Sequence, residues 1–129
     1  MDFFNTHISA KSIKLANDVL KSTYVSAGKL ADNFEKELGS QLGLVNPVTL
    51  NSGTSALYLA LAVAGVKPGD EVIVPAQTFI ATGLAVLMHY AKPVFADIQY
   101  KTGNIDPDAI RMKITEKTKA IIPVHWAGY

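Results

Sequence analysis

The run Asn51-Ser52-Gly53-Thr54-Ser55 is the part of this sequence best suited to binding an anion. The apolar residues 48–50 before it predict a short strand, and the apolar residues 56–64 after it predict a helix that is buried on all sides. A chain that turns from a strand into a helix leaves the first N–H groups of the helix without internal acceptors, and the helix dipole makes that end positive. The hydroxyls of the run add further donors. The run therefore predicts a phosphate site.

A purely structural interpretation of the same run is also open, because Ser and Thr are common helix caps. Two other phosphate-binding motifs are disfavoured. The run has neither the lysine of a Walker loop nor the third glycine of a dinucleotide fingerprint, which argues against a nucleotide-binding domain.

Strands and helices are predicted to alternate after two opening helices. The opening helices are predicted over residues 12–22 and 29–41. Further strands are predicted at 71–74, 94–96 and 119–124, with a helix at about 79–89 capped by Thr78 and a short helix that Asp106 caps and Pro107 begins. Connections of this length are typical of a parallel sheet, so the fold class is α/β.

Four segments are expected to meet at the edge formed by the carboxyl ends of the strands, where open α/β sheets bind ligands. They are residues 51–55, residues 77–79, Asp97, and the pair His125-Trp126. Phe79 could stack on a flat heterocycle, although a core phenylalanine is the better interpretation of that residue alone. Asp97 is expected to form a turn, and His125 a structural hydrogen bond.

Lysines are the next candidates, because Schiff-base chemistry requires a desolvated lysine aimed at the reacting group. Lys67 and Lys92 are predicted in turns at the opposite edge, together with Asp70 and Glu71. The other lysines considered lie on the opening helices or in a solvated cluster. No lysine therefore qualifies, and no His, Asp and Glu set has metal-ligand spacing.

Composition narrows the classes of protein that remain. The chain has 129 residues, 49% of them hydrophobic, a net charge of +1 and no cysteine. These values allow one modest domain with a core, exclude a disulfide scaffold, and give no electrostatic case for nucleic acid. The opening residues 1–5 lack the features of a signal peptide, and no apolar run is long enough for a membrane span. A cytoplasmic location is expected.

Six motifs occur in an order and spacing that closely resembles the N-terminal third of the DegT/DnrJ/EryC1/StrS aminotransferases. The resemblance covers about residues 24–128, and Gly28 and Phe34-Glu35 fit it as well. The motifs are Asn51-Ser-Gly-Thr-Ser-Ala-Leu, Pro68-Gly-Asp-Glu-Val-Ile-Val-Pro, Thr78-Phe-Ile-Ala-Thr, Pro93-Val-Phe-Ala-Asp, Asn104-Ile-Asp-Pro and Thr118-Lys-Ala-Ile-Ile-Pro-Val-His.

The resemblance implies a three-layer αβα fold with a mostly parallel sheet, the large domain of fold type I transferases that depend on pyridoxal 5′-phosphate (PLP). Residues 1–129 would be its N-terminal part, with opening helices in 1–45, strand–helix units in 46–129 and the remainder of the enzyme absent. Gly53, Thr54 and Ser55 would hold the cofactor phosphate, and Phe79 would stack on its ring. The Schiff-base lysine and the aspartate that pairs with the ring nitrogen are expected beyond residue 129, so the segment alone should be inactive.

The resemblance also implies the reaction and the partners. The intact enzyme would transfer an amino group, from glutamate, to a nucleotide-linked keto sugar, and it would form a homodimer. Two alternatives stay open: a relative of the same fold that dehydrates sugars, and a non-catalytic α/β module that binds a phosphorylated ligand. An isolated 129-residue segment is expected to associate, because it would leave a strand edge uncovered.

Overall fold

The computed structural model describes residues 5–128, so the first four residues of segment 1–5, which is predicted to lack the features of a signal peptide, lie outside the described part. The chain divides into two compact units, Met1–Thr49 and Leu50–Tyr129. Eight helices and strands and a short 3₁₀ turn at Trp126–Gly128 are found in the described residues. The helices and strands are α1 (Ala10–Lys21), α2 (Lys29–Leu42), α3 (Gly53–Val63), β1 (Glu71–Pro75), α4 (Ala81–Leu87), β2 (Lys92–Ala96), α5 (Pro107–Lys113) and β3 (Thr118–Ile121).

The first unit contains the two predicted opening helices, which are confirmed. Helix α1 begins after Ser9, whose Oγ accepts a hydrogen bond from the Ser12 amide at 3.1 Å. Helix α2 ends at Gly43, which has a φ of +66°. Glycine adopts this left-handed conformation at little cost, so the sequence signal for the helix end agrees with the structure.

The predicted strand at residues 48–50 does not form. The amide and the Oγ1 of Thr49 both donate to Oε1 of Glu35, each at 2.7 Å. A strand at this position would need the Thr49 amide for a backbone ladder, but the amide is already bonded to a carboxylate. The prediction was wrong because a side chain on α2 competes for the backbone donor.

The second unit is built on a parallel sheet with the strand order β2-β1-β3. Ile73 in the central strand lies opposite Val94 on one side and Ile121 on the other. The predicted parallel arrangement is confirmed. Strand β3 is shorter than predicted and ends two residues before Pro123, which has no N–H to donate to a ladder.

Helices cover both faces of this sheet. Successive side chains of a strand point to opposite faces, and all of β1 is buried. Ile73 packs in one cluster with Ala109 of α5. Val72 and Val74 belong to a different cluster, which includes residues of α3 and α4, namely Leu61, Ala85 and Val86. The arrangement is a three-layer αβα unit, as predicted.

Two predicted helices differ in detail from those observed. Helix α3 is not buried on all sides: Leu61 is its one fully buried residue in the described chain, while Leu59 and Val63 are exposed. Helix α4 begins at Ala81 rather than Phe79. Its N-cap residue is Ile80 and no side chain caps it, while the Oγ1 of Thr78 lies 2.8 Å from the Oγ1 of Thr82.

Helix α5 forms as predicted. Asp106 accepts a hydrogen bond from the Asp108 amide at 3.0 Å, and Pro107 is the first helical residue. This local signal needs no tertiary contact, because a cap and a proline at the first position act within one helical turn.

Candidate functional site

The start of α3 presents unpaired backbone donors. Ser52 is the N-cap residue, and its Oγ accepts a hydrogen bond from the Ser55 amide at 3.1 Å. Its carbonyl accepts from the Ala56 amide, also at 3.1 Å. The amides of Gly53 and Thr54 have no acceptor among residues 5–128. Two N–H groups therefore remain available at the positive end of the helix.

The hydroxyls around these amides form a pair. Ser52 Oγ and Ser55 Oγ lie 3.0 Å apart, so one of them donates to the other. The second hydroxyl of the pair keeps a proton that it can direct to a ligand. A Cβ at Gly53 would meet no atom within 4 Å, so the space beside the α carbon of this residue is open. The Ser55 amide, in contrast, is already bonded.

Phe79 is not a core residue. Its side chain is 76% exposed, in the segment that follows β1 and precedes α4. The interpretation of Phe79 as a core phenylalanine was therefore wrong. An exposed aromatic ring at this position offers a flat apolar surface to a ligand.

The starts of α3 and α4 lie at the carboxyl edge of the sheet. At the amino edge, the Gly69 amide just before β1 donates to the Tyr90 carbonyl just after α4 at 3.1 Å. Helix α3 leads into the same amino edge through the turn at residues 64–70. Because both helices end there, both begin near the opposite edge, where β1 ends. The free amides at Gly53 and the Phe79 segment thus share the carboxyl edge.

Other predicted residues at this edge have structural contacts. Asp97 Oδ1 accepts from the Ile98 amide at 2.8 Å, in the segment that follows β2. The Trp126 amide donates to Asn104 Oδ1 at 2.8 Å. His125 is exposed and also has a partner. Sequence reasoning missed the contact of Asn104 because the two residues are 22 positions apart.

One lysine at this edge was overlooked. Lys101 follows β2 and lines a cavity of about 480 Å³ together with Gln77, Asp97 and Trp126. Its side chain is exposed, whereas a Schiff-base lysine must be desolvated. Lys101 therefore suits anion binding rather than covalent chemistry. The described residues contain no group of three or more His, Cys, Asp and Glu that could hold a metal.

The two carboxylates whose pKa is lowered lie away from the free amides of Gly53 and Thr54. Hydrogen bonds from Thr115 and Lys92 hold the pKa of Glu71, at the amino edge, below its ordinary value. In the first unit, the backbone and side-chain hydrogen bonds from Thr49 lower the pKa of Glu35. Both carboxylates are therefore occupied by structural partners.

Comparison with known proteins decides the family. Residues 6–129 match the DegT/DnrJ/EryC1/StrS aminotransferase family. The chain belongs to this family. The predicted fold, part of the αβα large domain of fold type I transferases, is confirmed as well. The structure of Spr1654 from Streptococcus pneumoniae in its PMP form superposes on this chain with a TM-score of 0.91 at 41% identity. That match covers 99% of this chain and 32% of Spr1654.

Two curated proteins are similar to this chain in sequence. The spore coat polysaccharide biosynthesis protein SpsC of Bacillus subtilis is 41% identical over 121 residues, which cover 94% of this chain and 31% of SpsC. The UDP-4-amino-4-deoxy-L-arabinose–oxoglutarate aminotransferase of Shewanella sediminis is 38% identical over 121 residues, with the same coverage of 94% and 31%. The chain thus spans about a third of the length of the curated relatives it matches.

None of the helices in residues 5–128 has the length and apolar character needed to span a bilayer.

Proposed function

We propose that this chain provides the phosphate-binding and ring-binding part of a PLP-dependent aminotransferase that acts on a nucleotide-linked keto sugar. The observation that carries the proposal is the pair of unpaired amides at Gly53 and Thr54, on the same sheet edge as the exposed ring of Phe79. Relatives support the cofactor, since Spr1654 has both a PMP form and a PLP form. The Shewanella relative's name supports a UDP-sugar substrate and oxoglutarate as the deaminated donor.

The donor set fits a phosphate ester. The Gly53 and Thr54 amides would bind two of its oxygens, and the free hydroxyl of the Ser52–Ser55 pair would bind a third. The helix dipole favours the doubly charged group at this end. Because the Ser55 amide already bonds to Ser52, Ser55 contributes through its hydroxyl.

Phe79 would orient the cofactor ring rather than react with it. A cofactor ring that lies against the exposed phenyl face is held parallel to that face. The contacts to the phosphate would limit how far the cofactor ring can slide along it. When bound, PLP supplies the electron sink for amino transfer, and the protein supplies orientation and electrostatics. A segment limited to these residues would bind the cofactor without catalysis, because no described lysine at this edge is desolvated.

Assembly and location are parts of the same proposal. We expect a homodimer, as the resemblance to the DegT/DnrJ/EryC1/StrS aminotransferases implies. We expect the protein in the cytoplasm, where nucleotide sugars and glutamate are available to it. Size-exclusion chromatography with light scattering would measure the assembly.

The test uses the full-length protein with PLP and with a series of keto sugar nucleotides and glutamate. Aminotransferase function predicts saturable PLP binding, a lysine adduct of PLP after borohydride reduction, and oxoglutarate release that depends on the sugar nucleotide. PLP binding with release of water from the sugar, but no oxoglutarate, would favour the dehydratase alternative. Binding of phosphate esters without any adduct would favour the non-catalytic module.

A further inference from the structure

The segment between β1 and α4 is anchored to the sheet at its first end. Pro75, the last residue of β1, is fully buried, and the Ala76 amide donates to the Ala96 carbonyl of β2 at 2.9 Å. Residues 77–80 then lead to α4, and Phe79 lies among them with 76% of its surface exposed. A ring with this exposure has little side-chain packing to fix its direction, so its direction depends on the backbone that carries it.

Thr82 holds the other end of this segment by two hydrogen bonds. Its amide donates to the Phe79 carbonyl at 3.0 Å. Its Oγ1 lies 2.8 Å from the Oγ1 of Thr78, so one of these two hydroxyls donates to the other. The first bond involves the carbonyl of Phe79 itself, and the second involves the residue before it. A single residue therefore restrains the backbone on both sides of the Phe79 α carbon.

Thr82 is itself a rigid support. It is 4% exposed, in the first turn of α4, and its neighbours Ala81, Ala85 and Val86 on the same helix are buried as well. A buried hydroxyl costs stability unless it is hydrogen-bonded, whereas a valine would fill the same volume without that cost. The bond that satisfies this hydroxyl is the one to Thr78. Packing alone does not explain a threonine here, but the contact to the Phe79 segment does.

We propose that Thr82 is a positioning residue for Phe79, which it holds so that the exposed ring points in one direction before the cofactor binds. The inference rests on the proposed function, because it takes Phe79 as the residue that contacts the cofactor ring. A surface that is already ordered loses less conformational entropy on binding, so the restraint raises the affinity for PLP. Thr82 is buried and acts through Phe79 rather than through a contact of its own with PLP.

Two substitutions at residue 82 separate the hydroxyl from the volume of the side chain. Thr82→Val keeps the volume and removes the hydroxyl, so PLP binding by the full-length protein should weaken about threefold, as expected for one hydrogen bond. Thr82→Ser keeps the hydroxyl and should restore the PLP affinity, although loss of a buried methyl group should lower the urea midpoint. Equilibrium dialysis measures the affinity, and urea unfolding measures the stability.

A second readout follows the Phe79 ring without the cofactor. Para-fluorophenylalanine placed at position 79 of the full-length apoprotein reports motion of the ring through fluorine NMR relaxation. Thr82→Val should increase the mobility of this ring, and Thr82→Ser should leave it as in the unsubstituted protein. If Thr82 contributed to stability alone, neither substitution would change the fluorine signal.

A double substitution tests whether Thr82 acts through Phe79. If it does, Thr82→Val should weaken PLP binding no further in a Phe79→Ala background, because the ring that it would disorder is already absent. Thr115→Val is the matched control, since it removes a hydroxyl that donates to Glu71 at 2.7 Å at the opposite edge of the sheet. The control should lower the urea midpoint and leave both PLP binding and the fluorine signal of residue 79 unchanged.

The outcomes separate this inference from the proposed function. Unchanged PLP affinity in Thr82→Val, weaker affinity with an unchanged fluorine signal, or additive losses in the double variant would overturn the inference. Absence of PLP binding to the unsubstituted protein would overturn the proposed function, and the fluorine measurement would still decide whether Thr82 orders the ring. If Thr82→Val does not fold by circular dichroism, Thr78→Val removes the same hydrogen bond from a half-buried position and is judged by the same criteria.

Discussion

Glu71 Oε2 accepts a hydrogen bond from Thr115 Oγ1 at 2.7 Å and so joins the start of β1 to the loop before β3. The other oxygen of this carboxylate lies 3.2 Å from Lys92 Nζ at the start of β2. Glu71 is buried, and the Glu71 amide donates to the Lys117 carbonyl at 2.8 Å. One side chain thus ties together the amino ends of three parallel strands.

The first prediction concerns the pH dependence that Glu71 gives to stability. Because its folded pKa is lowered, by Thr115 first and by Lys92 second, the ionised carboxylate stabilises the fold above its ordinary pKa of 4.5. This contribution is lost as the pH falls through the lowered folded value. Glu71→Gln should reduce the urea midpoint at neutral pH and flatten the acid side of the profile. Glu116→Gln, at an exposed glutamate, is the matched control, and an equal effect of both variants would contradict the assignment.

The second prediction separates charge from size at the phosphate site. Ser55→Asp places a carboxylate beside the proposed phosphate and should weaken PLP binding at least tenfold by like-charge repulsion. A negative group in the first turn of a helix is favourable for the dipole, so the free energy of unfolding should not fall. Ser55→Asn has nearly the same shape without the charge. If both variants bind PLP equally, the phosphate lies elsewhere.

The third prediction concerns the cap of α3. Ser52→Ala removes the acceptor of the Ser55 amide and should lower the free energy of unfolding by about 1 kcal/mol. It also removes one hydroxyl of the proposed donor pair, so PLP affinity should fall as well. Ser9→Ala removes the equivalent cap of α1 and serves as the control. It should cost similar stability in urea unfolding with no effect on PLP affinity.

The fourth prediction concerns Phe79. Because the ring is exposed, Phe79→Ala should change the free energy of unfolding by less than about 0.5 kcal/mol. Loss of a stacking partner should nevertheless weaken PLP binding by about 1 kcal/mol, or roughly fivefold. Ile73→Val, at a fully buried position, should show the opposite balance, with about 1 kcal/mol less stability and unchanged PLP affinity. A large loss of stability in Phe79→Ala would show that Phe79 is a core residue and would contradict the prediction.

Local features of the fold could be predicted from the sequence because their causes lie within a few residues. Asp106 and Pro107 begin α5 by a cap and a fixed φ, and Gly43 ends α2 in a left-handed conformation. The apolar run that forms β1 is central and buried, as a strand covered by helices on both faces requires. The carboxyl-edge location of the Phe79 segment and of Asp97 followed from the parallel order of these strands.

Contacts between distant residues could not be predicted in this way. Residues 48–50 form no strand because the Thr49 amide donates a hydrogen bond to Glu35, which lies 14 positions earlier. The same limit applies to the bond between Trp126 and Asn104 and to the place of Lys101 beside it. Such partners are set by where the sheet brings the loops, and no spacing in the sequence encodes that distance.

The sequence by itself determined the family, the alternation of strand and helix, and the donor-rich start of α3, because motifs, periodicity and caps are local properties of the chain. Only the tertiary structure decided that Phe79 is exposed, that Ser52 engages the Ser55 amide and leaves those of Gly53 and Thr54 available, and that three loops enclose a cavity against Trp126. Burial and hydrogen-bond pairing depend on which surfaces the folded chain brings together, and that arrangement exists only once the sheet has formed.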